Sequence, residues 1–187
     1  VSWDEEGNVW VVVAGGVDTS LVCIMPDGKQ RGLNLYKDDG EKFVLSTPGG
    51  ILIDGNQKWV ISSRSEPAVV LLDDGGTKFD ASDDLCKVHA NFMDQDGQII
   101  APEFYYAVAQ APNGDIWIGS ASGPIILTQD ADILHSNVCK RLRIKMADDT
   151  YLLETDRVNA FAWDDQGQVW IGTQTGGVYV LNKECTE

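Results

Sequence analysis

Histidine is almost missing from this sequence: 187 residues hold only His89 and His135. That scarcity removes the commonest general base and metal ligand from nearly the whole chain. Neither His lies in a recognisable partner motif, and both fall in stretches that read as irregular. Basic residues are also short, with 14 Lys and Arg against 29 Asp and Glu, for a net charge of −15. Such a surface repels phosphate backbones and anionic lipid, so nucleic acid and membrane surfaces are poor partners. No apolar run approaches the ~20 residues of a membrane-spanning helix. No C-x-x-C occurs among Cys23, Cys86, Cys139 and Cys185, which argues against a zinc site. Cys23, within the apolar run 21–25, reads as a small core residue. The chain opens on Val1 with no signal-like segment, and both ends are read as cut from something longer.

Hydrophobic residues at 43%, charged residues at 23% and 19 glycines describe a globular chain of many short strands and tight turns. The order lies in an internal repeat. Four segments align on a tryptophan: 4–11 with Trp10, 54–60 with Trp59, 111–118 with Trp117 and 164–171 with Trp170. The tryptophans stand 49, 58 and 53 residues apart. Before each comes a short apolar run and an Asx/Gly turn, because Gly and Asn accept positive φ cheaply. After each come small residues, a second turn and another apolar run. The second copy is one turn residue short, and the third has Ala111 where the others begin with Asp.

This grammar predicts an all-β chain: a β-propeller of four antiparallel blade repeats, read as a fragment of a larger propeller. The blades are placed at about 1–48, 49–80, 104–146 and 157–187. A long insertion is placed at 80–103, and another between blades three and four within 128–157. Outer strands are expected near Lys29–Leu35, Thr77–Phe79 and Arg141–Lys145, and the repeated tryptophans are expected to pack between sheets. Open blade edges leave room for a homodimer.

Catalytic patterns fail on inspection. Gly119-Ser120-Ala121-Ser122-Gly123 lacks the nucleophile at the centre of an elbow. Gly28-Lys29 has Cys23 where a phosphate loop needs Gly. Asp94-Gln95-Asp96-Gly97 reads as an ordinary turn, without the later ligands of a calcium loop. Catalytic, cofactor and metal-binding residues are therefore read as none, with no cofactor, and ligand-binding residues are left unassigned. The insertion carrying Cys86, His89 and Phe92, running into Phe104-Tyr105-Tyr106, is the stretch whose aromatics could meet a sugar or partner.

The segment Val158–Thr173, followed by Gly176-Gly177-Val178-Tyr179, resembles the two-component regulator propeller repeat of periplasmic sensor regions in bacterial hybrid histidine kinases. Residues 107–126 look like a weaker copy. The order of 1–11, 21–29, 54–60 and 69–76 resembles the propeller proteins of the type IX secretion sortase complex in Bacteroidetes. The resemblance implies a periplasmic or cell-surface, non-catalytic scaffold that binds protein partners or a surface polysaccharide. The alternative is the ligand-sensing, signal-transducing propeller of a hybrid two-component system. A propeller lyase or hydrolase ranks last, since it would need a His and carboxylate cluster.

Overall fold

The computed structural model describes every residue except 16–18, 79 and 187. Residues 1–90 and 91–187 form two compact units, each with two antiparallel sheets. In the first unit one sheet runs Ser2–Trp3, Val9–Val12, Leu21–Ile24 and Gln30–Leu33, neighbours in space as in sequence. The other runs Pro48–Asp54, Gln57–Ser62, Ala68–Asp73 and Leu85–His89. The second unit holds three-stranded sheets, Tyr105–Gln110, Ile116–Ser120, Gly123–Leu127 and Val158–Trp163, Val169–Thr173, Val178–Leu181. Two hairpins, 35–43 and 92–100, complete the described strands, which include no helix.

One turn design recurs in the first, third and fourth sheets and in the 92–100 hairpin. In the first, Asp4 accepts from Gly7 N–H and its own N–H reaches Asn8 O, with Gly7 at φ 81°. This is a type I turn closed by a left-handed residue, where glycine avoids the Cβ clash. The same pair of backbone bonds recurs at Asp94, Ala111 and Asp164. In the first and fourth sheets the turn Asp also caps the tryptophan. Asp4 Oδ2 accepts from Trp10 Nε1 at 3.1 Å, and Asp164 Oδ2 from Trp170 Nε1 at 3.2 Å. Asp4 Oδ1 further accepts from Glu6 N, Asn8 N and Asn8 Nδ2.

Burial pushes the Asp4 carboxyl up, but the bonds from Asn8 and Trp10 outweigh it and hold its pKa below the ordinary 3.8. A depressed folded pKa means stability present above 3.8 and lost as pH falls through the folded value. Asp4→Asn is therefore expected to cost about 1–2 kcal/mol at pH 7 and much less at pH 2. Urea denaturation at the two pH values measures this, and equal losses would refute it.

The expected outer strand at Gln30–Leu33 is present, within the 29–35 stretch. The one expected near Thr77 is elsewhere: Leu85–His89 pairs with Ala68–Asp73, inside the stretch read as an insertion. Phe79 lies outside the described residues. The backbone before Leu85 is used in turns, with Asp73, Asp74 and Asp80 each capping the N–H two residues on. Arg31 fastens that loop through Thr77 O, Lys78 O and Asp84 Oδ2. At Arg141–Lys145 there is no regular strand, only single bridges from Lys140 to Ile126 and from Lys145 to Tyr151.

Each unit has its own core. Trp10, Leu21, Cys23, Phe43, Val60, Val70 and Leu72 are wholly or almost wholly enclosed in the first. Trp117, Val158, Val169, Ile171 and Leu181 centre the second. The small residues after Trp117 are sterically required: a Cβ at Gly119 would run into the Val158 carbonyl of the facing strand. That close approach lets the innermost strands of the third and fourth sheets pack directly.

Candidate functional site

The second unit holds a pocket at the turn end of its two sheets, about 250 Å³ in volume. Its apolar lining is Ala111, Trp117, Ile126, Trp163 and Val169, and its rim carries Asn113, Asp115, Lys140, Lys183 and Glu184. Trp117 and Trp163 meet edge to face, centroids 5.8 Å apart at 83°, so two walls stand at right angles. Phe161 supports both, 5.5 Å from Trp117 and stacked on Trp163 at 6.3 Å. Shallower, more open clefts adjoin it around Asn113 and Gln129.

The pocket lies where the third repeat departs from its siblings. Ala111 makes the same turn hydrogen bonds as Asp4 and Asp164 but has no carboxylate for the indole. Trp117 Nε1 consequently has no hydrogen-bond partner among the described residues. It is also not among the fully buried unpaired atoms, unlike Trp59 Nε1 of the shortened second repeat. Read from sequence, the Ala111 substitution bears on turn geometry alone; in the folded chain Ala111 lines a pocket. The signal was legible in the repeat alignment, as the single apolar residue in the Asp column. The contributions of Lys140, Trp163 and Lys183 were not.

Charge at the rim is unevenly satisfied. Asp115 is used internally, accepting from Gln129 N at 2.9 Å and Asn113 Nδ2 at 2.8 Å. Lys140 and Lys183 make no ion pair with the described residues, although eight other cations of this acidic chain do. Glu184 shares the rim beside Lys183.

The other residues singled out from sequence serve the fold. His89 is not in an irregular stretch but ends a strand, where it is buried, because 85–89 pairs in full with 69–73. His135 is exposed, with Nδ1 2.9 Å from Asp132. Ser120 is enclosed and donates to Gly123 O at 2.7 Å, closing a hairpin. Asp94 caps its own turn and takes Arg143 at 2.6 Å. Tyr105 is buried edge-on to Phe92, and burial pushes its phenol well up. Phe104 and Tyr106 stack at 6.1 Å, with the Arg157 guanidinium 5.8 Å from the Phe104 ring. No cluster of three His, Cys, Asp or Glu placed to hold a metal occurs among the described residues.

All four cysteines are thiols. Burial pushes Cys86 and Cys139 up to about 11. Since the thiolate is the nucleophile, both are expected to resist alkylation at pH 7 until the chain unfolds. Mass spectrometry after iodoacetamide in native and denaturing buffer measures this, and rapid native labelling of either would contradict the packing described.

Residues 152–175 match the family described as Two component regulator propeller. No curated protein matches the chain. The chain is similar to PorZ, a bacterial surface component of the type-IX secretion system of Porphyromonas gingivalis. That likeness has a TM-score of 0.83 and 24% identity, over 99% of this chain and 26% of the other. It is also similar to the extracellular domain of a protein described as the hybrid two component system BT4673 from B. thetaiotaomicron. There the TM-score is 0.63 and the identity 16%, over 100% of this chain and 24% of the other. The chain thus spans about a quarter of the length of each, and its fold is an all-β propeller fold.

Proposed function

We propose that this chain is part of a non-catalytic, periplasmic or cell-surface propeller scaffold that binds protein partners or a surface polysaccharide, in the manner of a type IX secretion component. The observation that carries this reading is the PorZ likeness, which extends over all four sheets rather than one repeat. The chemistry of the residues supports it. Asp4, Ser120 and Arg31 each serve a turn or a loop, so these polar groups are committed to the framework. No described helix is long and apolar enough to cross a membrane. Cross-linking of the intact parent protein in its native cell is expected to recover an envelope protein or glycan. Recovery of neither would defeat the proposal.

A second reading, the sensing domain of a hybrid two-component system, is favoured by the family match at 152–175. It requires a membrane helix and a kinase domain elsewhere in the parent chain, which the length and hydropathy of that chain decide. The open edge of Val178–Leu181, with Trp170, Val178 and Val180 exposed, suits a further strand or a second copy. Light scattering coupled to size exclusion is expected to find a dimer of the isolated chain, and a monomer at all concentrations would refute self-pairing.

A further inference from the structure

We propose that the pocket beside Ala111 binds a small carboxylate carried on a compact apolar ring. The inference rests on the binding role proposed above and names the chemistry of one site. Its template is inside the protein. In two sheets a turn carboxylate sits 3.1–3.2 Å from the indole nitrogen of the repeat tryptophan. In the third sheet the backbone turn is the same, yet the side chain stops at Cβ and Trp117 Nε1 has no partner among the described residues. A ligand carboxylate accepting from Trp117 Nε1 completes the arrangement that Asp4 and Asp164 make internally. An N–H···carboxylate bond is charge-assisted and gains strength in a half-enclosed site.

Two further observations bear on the occupant. Lys140 and Lys183, without ion pairs among the described residues, stand on the rim of this pocket and favour an anion. Asp115 and Glu184 match the two lysines in formal charge, so the specific contact is the indole N–H and the lysines add cationic donors at the rim. The volume of about 250 Å³ lies below the ~300–1,000 Å³ of pockets for drug-sized ligands, which limits the body to roughly one ring system. The perpendicular walls of Trp117 and Trp163 offer that ring one face and one edge.

The probes are benzoate and its neutral isostere benzamide, added to the whole chain with ¹⁵N-labelled tryptophan. Trp117→Phe assigns the indole N–H signal. Benzoate is expected to shift the Trp117 signal saturably, while benzamide binds at least about ten-fold more weakly. Ala111→Asp places the repeat's own carboxylate in the site. It is expected to abolish the benzoate response without lowering the thermal midpoint, since two sibling turns carry Asp. Lys140→Met, a rim change that leaves the core alone, is expected to weaken benzoate about two- to five-fold. No saturable shift, an undiminished response in A111D, or equal binding of benzamide would each overturn the assignment. Such a failure leaves the scaffold reading standing, because cross-linking tests that separately; a failed cross-linking experiment likewise leaves the benzoate result intact.

Discussion

Lys58→Met is expected to lower the stability of the first unit by about 3–5 kcal/mol. Lys58 and Asp74 are each 1% exposed at the side chain and meet at 2.5 Å. The ammonium also donates to Asn56 O at 2.8 Å and Gly55 O at 3.3 Å, and lies 4.8 Å from the centroid of the Trp10 ring. All three of its protons therefore have acceptors, and its positive charge faces an aromatic π-surface. Methionine fills a similar volume but strands the Asp74 carboxylate in the core, where an unpaired charge is costly. The double variant Lys58→Met/Asp74→Leu separates the pair from the space it fills. Because an apolar substitute for a whole buried pair is often neutral or better, the double variant is expected to recover most of the loss. Urea denaturation of both proteins is the measurement. A single variant within about 1 kcal/mol of the parent would show that water reaches the pair.

Trp10→Ala is expected to cost a similar amount, about 3–5 kcal/mol, whereas Trp170→Ala costs about 1–2 kcal/mol. The two residues hold the same place in the repeat, and each donates its indole N–H to the Asp six residues earlier. They differ in cover: Trp10 is fully enclosed among Leu21, Cys23, Val60 and Val70, while Trp170 is 45% exposed. Equal losses in thermal or urea denaturation would mean that the tryptophan stabilises through its own turn rather than through sheet packing. Since Trp10 lies under Lys58, the combined variant is expected to lose less than the sum of the two.

The contrast shows where sequence reasoning reaches. Asp4-to-Trp10 and Asp164-to-Trp170 are local patterns, and the turns, flanking strands and repeat spacing followed from them. The outer strand of the second sheet did not. Thr77 looked strand-like, but the string of capping aspartates from Asp73 to Asp80 holds that backbone in turns and delays pairing until Leu85. His89 appeared to belong to a loop for the same reason, and no local pattern marks Lys58 as buried. Its partner Asp74 is 16 residues away, just past the end of the next strand, Ala68–Asp73.

What the sequence determined by itself is whatever depends on neighbours along the chain: an all-β fold, meandering sheets, glycine turns and a tryptophan at one place in each repeat. Backbone sterics and side-chain capping act over a few residues, so they leave a readable trace. Only the tertiary structure decided which tryptophans are covered, which lysine is buried, and that Ala111 lines a pocket with Trp163, Lys140 and Lys183. Burial, desolvation and pocket shape depend on which sheet faces which, and residues 29 to 72 positions beyond Ala111 carry no local mark of meeting it.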